Sequence, residues 1–170
     1  MSIEPLPVPA VASPEVIEIE RALSRITYLS TRARQHDRLM ATAGVPLDRA
    51  AVALLRQIAD SEPLRPGELA QRLGVEASHV TRTVQQLQKL GYVTRVPDPH
   101  DGRAQRIQLT DTGRQGIARV REAGARGMQL ALAGWSAEEL GKLAVLFHRM
   151  VDDFLSHSNE VEGEQPGAGT

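Results

Sequence analysis

LAQRLGVEASHVTRTVQQLQKLGYVTRVPDPHDGRAQRIQLTDTG, residues 69–113, decides the fold. Pro66 opens a short helix that carries this stretch in and closes at Gly74, where a chain reversal calls for positive φ. A tight connection through Val75, Glu76 and Ala77 leads into a second helix. Val80, Val84, Leu87 and Leu90 recur on it at spacings of three and four, which predicts an inner face, and Gly91 is its stop. Tyr92–Val96 is then β-branched and aromatic, and Arg106–Leu109 alternates polar with apolar, as a returning strand does. Small Ala70 lets the two helices approach, and Val80 plugs the angle between them. Two helices at a tight turn, followed by a hairpin, describe a winged helix-turn-helix.

The flanks read as helices. Ser13-Pro14-Glu15 is a helix start with a hydroxyl cap, an early proline and an acid facing the dipole. Val16, Ile19, Leu23, Ile26 and Ala33 follow on one stripe, predicting a single long helix over about 14–42 that ends near Gly44-Val45-Pro46. Asp48 caps the next helix, with Ala51, Leu54, Leu55 and Ile58 inward, and a turn at Ser61-Glu62-Pro63 closes it. Beyond the hairpin, Thr110–Gly113 starts a helix with Ile117, Val120, Gly124 and Met128 on one face. Ser136–Glu139 is a capping box for the last helix, whose stripe is Leu140, Leu143, Phe147, Met150 and Phe154. Trp135 reads as a plug between helices. The expected architecture is therefore mainly α with a small two- or three-stranded β-wing. It divides into a mobile arm over 1–13, a globular domain over 14–155 and a disordered acidic tail over 156–170. Within the domain, 47–113 is the reading module, and 14–46 with 114–155 are flanking helices. Their apolar stripes are long enough to suit pairing with a second copy as a homodimer, although a monomer with a large helical cap would carry stripes of the same kind.

The reading module carries the candidate site. Ser78, His79, Thr81, Arg82 and Gln86 lie on the exposed side of the helix at 77–90, where they can enter a major groove. An exposed serine, threonine or glutamine is also an ordinary solvated residue, so the hairpin decides. Its loop, 97–105, holds Arg103 beyond the apolar body, where a guanidinium suits a narrow, electronegative minor groove. Asp101 is expected to pair with Arg103 or with an arginine of the helix and so to aim the tip. Arg95 and Arg106 complete the basic set.

Residues 69–113 resemble the winged-helix core of the MarR family of dimeric bacterial transcriptional regulators. The resemblance rests on S-x-V-T-R-x-V-x-x-L-x-x-x-G-Y-V-x-R from Ser78 to Arg95 (with His79 where threonine is common), D-x-R at Asp101–Arg103, and L-T-x-x-G at Leu109–Gly113. It extends over about 14–155 through the order and length of the flanking helices. It implies that Arg103 is the minor-groove residue with Asp101 as its partner, and that Ser78, His79, Thr81 and Arg82 lie on the recognition helix. It also implies a repressor of an inverted-repeat operator on double-stranded DNA, released by a small aromatic or anionic effector. No residue of an effector site is assigned; His36 with Arg32, Arg34 and Arg38 could meet an anion but reads first as a solvated face.

Composition narrows the alternatives. The 170 residues include no cysteine, which excludes disulfides, thiolate metal sites and thiol redox switches. His36, His79, His100, His148 and His157 show no i, i+4 pair, so no metal and no cofactor are expected. Outside the acidic tail there are no clustered carboxylates, and phosphate loops and hydrolase motifs are missing, which argues against an enzyme. The net charge of −1 hides a mildly positive body and an acidic tail, which suits a polyanionic partner. No apolar run reaches the roughly 18 residues of a membrane span, and the opening segment is unlike a secretory leader, so the cytoplasm is expected. The competing reading is a winged-helix module that contacts protein and not DNA. Such modules often lose the basic residues kept here.

Overall fold

Helix signals at Ser13, Asp48 and Ser136, and glycine stops at Gly44 and Gly74, divide the chain much as it folds. The computed structural model describes residues 12–61 and 63–163, with side chains as far as residue 157. Its elements run α1 (Pro14–Ser30), α2 (Ala33–Ala43), α3 (Arg49–Ser61), α4 (Pro66–Leu73), α5 (Ala77–Lys89), β1 (Val93–Pro97), β2 (Gln105–Leu109), α6 (Asp111–Ala131) and α7 (Ala137–Gly163). The fold is a winged helix-turn-helix, mainly α with a two-stranded antiparallel sheet. The chain forms two compact bodies, dividing between Arg126 and Gly127.

In the first body, α3, α4 and α5 enclose the core with the hairpin. Ala51, Leu54, Leu55 and Ile58 of α3 are buried, as are Leu69 and Ala70 of α4 and Val80, Val84 and Leu87 of α5. The strands pair Val93 with Leu109 through Pro97 with Gln105, placing Val93, Ile107 and Leu109 inward. A third strand survives as one bridge: Leu64 and Ile107 exchange backbone hydrogen bonds at 3.2 and 2.7 Å. Gly74 takes φ 61°, in the left-handed region that releases its backbone for the reversal into α5.

The start of α6 depends on a missing side chain. A Cβ on Gly113 would stand 2.0 Å from the Tyr92 carbonyl oxygen, and one on Gly116 would stand 2.8 Å from the Tyr92 ring. Thr110 holds this junction from both sides. Its hydroxyl donates to the Gly91 carbonyl at 2.6 Å and accepts from the Gly113 amide at 3.0 Å. Since the obstacle at Gly113 is backbone, Gly113→Ala is expected to cost at least about 3 kcal/mol of stability, at the top of the range for overpacking. Denaturant unfolding checks it, with a loss below about 1 kcal/mol counting against this packing.

Several expectations change. The single amino-terminal helix is two, broken at Thr31–Arg32, where Arg32 turns to φ −64°, ψ 125°. The Ser30 and Thr31 hydroxyls bond back to the Thr27 and Tyr28 carbonyls, competing with the helical ladder. Leu90, expected inside, is exposed, because α5 has reached its cap there. His36 leaves the solvated face: its Nε2 meets the Leu47 carbonyl at 2.9 Å and ties α2 to the loop before α3.

The second body holds the end of α6 and all of α7. The Ser136 box forms as expected, with its hydroxyl accepting from the Glu139 amide at 3.2 Å and the Glu139 carboxylate accepting from the Ser136 amide at 2.8 Å. Those bonds hold the Glu139 carboxyl below its ordinary range, the backbone amide contributing most. The apolar stripe is not a core within one chain. Leu143, Phe147, Phe154 and Met128 are exposed, and Trp135 is about half exposed. α7 continues to Gly163, past the expected end at 155, because no breaker intervenes before that glycine. Most of the expected amino-terminal arm, residues 1–11, and the last seven residues of the expected tail lie outside the described residues, as does Glu62. Among the described residues no helix is long and apolar enough to cross a membrane.

Candidate nucleic-acid interface

Burial along α5 sorts its side chains into two faces. Val80, Thr83, Val84 and Leu87 turn inward, and Ser78, His79, Thr81, Arg82, Gln85 and Gln86 stand in solvent. The Thr81 hydroxyl donates to the Ala77 carbonyl at 2.9 Å and retains acceptor lone pairs. Ser78 lies 3.4 Å from the Glu76 carboxylate, a long contact that a phosphate or base can replace. Arg82 makes no ion pair among the described residues and is held by nothing but its own helix.

The hairpin distributes its arginines unequally, and the cause is a residue with no local signature, Asp98. It follows β1 and is buried, at 3 % exposure. Its Oδ2 accepts from Arg65 Nε at 2.6 Å and Arg106 Nε at 2.7 Å, and its Oδ1 accepts from the His100 amide at 2.8 Å. Arg65 is the residue before α4, so this carboxylate ties the base of the wing to the start of the helix-turn-helix. Arg106, expected to face DNA, donates its Nε here. Arg95 donates too, from Nε to the Gln88 side chain of α5 at 3.1 Å.

Asp101 acts differently from the expectation. Its carboxylate accepts from the Arg103 backbone amide at 3.1 Å, and its carbonyl accepts from the Ala104 amide at 2.9 Å. It shapes the tip through the backbone and makes no ion pair with Arg103 or with an α5 arginine. The Arg103 guanidinium is left exposed, without an ion pair among the described residues. Bonds through Asp98 and Gln88 therefore tie the base of the wing to α4 and α5 while Arg103 at its tip stays exposed. Asp98 could have been suspected from its place between Pro97 and Pro99, but an aspartate there also satisfies an ordinary turn.

Arg65, then Arg106 and the His100 amide, hold the Asp98 carboxyl far below its ordinary range. A depressed carboxyl stabilises the fold above the unfolded pKa of about 3.9, and that contribution is lost as pH falls through the folded value. Asp98→Asn is expected to lower Tm by several degrees at pH 7, and the gap to the wild type should shrink as pH falls toward about 3. Thermal melts across that range check it; a constant gap would mean that the carboxylate's charge is not what matters.

Among the described residues no three His, Cys, Asp or Glu side chains gather as a metal site would require.

Residues 45–104 match the sequence model of the MarR family. The HTH-type transcriptional regulator YdgJ of Bacillus subtilis is 30% identical over 104 residues, which are 61% of this chain and 63% of that protein. Among solved structures, a MarR family protein from Bacillus stearothermophilus superposes with a TM-score of 0.70 at 24% identity, covering 88% of this chain and 99% of its own. The transcriptional regulator PcaV from Streptomyces coelicolor, solved in complex with its natural ligand, gives a TM-score of 0.51 at 25% identity, covering 84% and 97%.

Proposed function

The chain belongs to the MarR family, and on that premise we propose that it is a dimeric, DNA-binding transcriptional regulator, a repressor of an inverted-repeat operator. One observation carries the reading. Of the basic residues around the wing, Arg65, Arg95 and Arg106 are held by intramolecular bonds, while Arg103 at the tip and Arg82 on α5 are exposed. A wing used for protein contact has no need to keep its one projecting cation unneutralised. In this reading the exposed side of α5, with Ser78, His79, Thr81, Arg82 and Gln86, enters a major groove. Arg103 reaches the neighbouring minor groove, and Arg95, Asp101 and Arg106 hold the wing in its shape.

The dimer reading is supported by the exposed apolar side chains of α1 and α7. Val16, Ile19 and Ile26 on the first, and Leu143, Val145, Leu146 and Phe147 on the second, are apolar and exposed, which a second copy would remedy. A two-fold reader requires half-sites about one helical turn, roughly 10 bp, apart. Release by a small aromatic or anionic effector belongs to the same proposal. It is supported by the ligand-bound state of PcaV and by an open hollow of about 430 Å³ beside α2, lined by Met40, Val45, Pro46 and Leu47 among others. The regulator needs no catalytic group and acts in the cytoplasm.

Binding to a generic duplex at rising salt tests the reading. Expected is a steep, linear loss of log affinity with log salt, and from a random duplex library an enriched inverted repeat. Weak binding that is indifferent to salt would favour the protein-contact module.

A further inference from the structure

The break between α1 and α2 is bridged by a residue of α3. Arg49 donates from Nη1 to the Ser30 carbonyl at 3.0 Å and from Nη2 to the Arg32 carbonyl at 2.6 Å. These carbonyls stand on either side of Thr31, the first at the end of α1 and the second at the residue that caps α2. The Ser30 carbonyl is among those a helix end leaves without an intrahelical donor, and a guanidinium both satisfies it and opposes the negative end of the helix.

The two sides of this joint are anchored very differently. α2 belongs to the reading head: Met40 and Ala43 are buried in its core, His36 bonds the Leu47 carbonyl, and Arg119 of α6 donates to the Ala43 carbonyl at 3.1 Å. α1 contributes no buried residue. Its exposed apolar side chains are part of the proposed dimer face, and any role of this joint in the dimer rests on that reading. The arm that would hold two copies together thus meets the head at Thr31–Arg32, and Arg49 reaches across from the first residue of α3.

We propose that Arg49 is a positioning residue that sets the separation of the two reading heads by clamping α3 to both sides of the α1–α2 joint. The lever is long enough to matter. A helix of 17 residues spans about 25 Å at 1.5 Å per residue, and a swing of about 10° moves a point that far away by about 4 Å. That exceeds the roughly 3.4 Å rise per base pair along the axis of a duplex, so a loosened joint would blur the half-site spacing the dimer selects. A side chain that merely capped a helix would affect stability and leave that separation alone.

The chain has no cysteine, so Gln85→Cys on the exposed side of α5 gives one spin-label site per protomer of the full-length protein. Double electron–electron resonance then reads the distance between heads. Expected is a narrow distribution with Arg49 present. In Arg49→Ala the distribution should at least double in width or shift by about 4 Å, and Arg49→Lys, with one donor point, should fall between. Thermal melts of the same proteins separate this from stability: a lowered Tm with an unmoved distribution reduces Arg49 to a cap and overturns the proposal. Identical melts and distributions overturn it as well. If the protein with Arg49 intact gives no distance between protomers, the dimer reading fails and takes this inference with it.

Discussion

Arg103→Ala is expected to weaken operator binding by at least about 30-fold while leaving fold and dimer unchanged. A lost arginine contact to DNA costs roughly 1–3 kcal/mol, and the proposed two-fold dimer would lose it twice, giving about 2–6 kcal/mol in all. The fold should be indifferent because Arg103 is exposed and its guanidinium makes no ion pair among the described residues. The tip conformation depends on Asp101 receiving the backbone amide of residue 103, which alanine retains. The loss should also flatten the salt dependence, by about one unit of slope for each phosphate contact removed. Titration of the selected duplex at several salt concentrations, with melting curves alongside, measures both. Unchanged affinity and slope would remove the wing from DNA recognition, leaving α5 alone. Arg106→Ala is the instructive comparison: it should disturb the wing through Asp98, and so lower Tm, which Arg103→Ala should not.

That contrast marks where the sequence was readable. Residues whose role follows from local geometry stood out: Gly74 at its reversal, Asp48 and Ser136 at helix starts, the alternation at 106–109, the three-and-four spacing of Val80, Val84 and Leu87. Each is fixed by neighbours within a turn or two. Roles depending on residues far apart in the chain did not stand out. Asp98 meets Arg65 across 33 positions, and Arg49 meets Ser30 across 19. Neither pairing has a period, so arginines that look equivalent in the sequence divide into three held by intramolecular bonds and one projecting. The break at Thr31–Arg32 was hidden for another reason. Serine, threonine and arginine all tolerate a helix, and neither proline nor glycine marks the place. Leu90 shows the limit of periodicity itself, for its spacing continues the stripe after the helix has ended.

The stripe on α7 raises a different matter, since its residues have the spacing of a core and yet are exposed. Phe147→Glu is expected to raise the dissociation constant of the proposed dimer by at least about 10³-fold. Phe147 retains 43 % of its surface, with Leu143, Leu146 and Val151 exposed nearby along the same helix. Burying a phenylalanine contributes about 1.5–3 kcal/mol, and a carboxylate in its place adds an unpaired charge that must be desolvated or expelled. With 43 % of its surface left to bury, the two copies together lose about 1–3 kcal/mol of burial, and the electrostatic cost raises this to the about 4 kcal/mol that corresponds to the stated 10³-fold. The reading head should survive, because its core is built from α2 to α6 with the hairpin and, among the described residues, takes none from α7. A folded monomer is therefore the expected product. It should bind one half-site weakly, having lost the gain that linking two half-sites provides. Sedimentation at micromolar concentration, followed by titration of full and half operators, tests each step. If Phe147→Glu sediments as an unaltered dimer, α7 is not the pairing surface and the exposed stripe must serve a different partner.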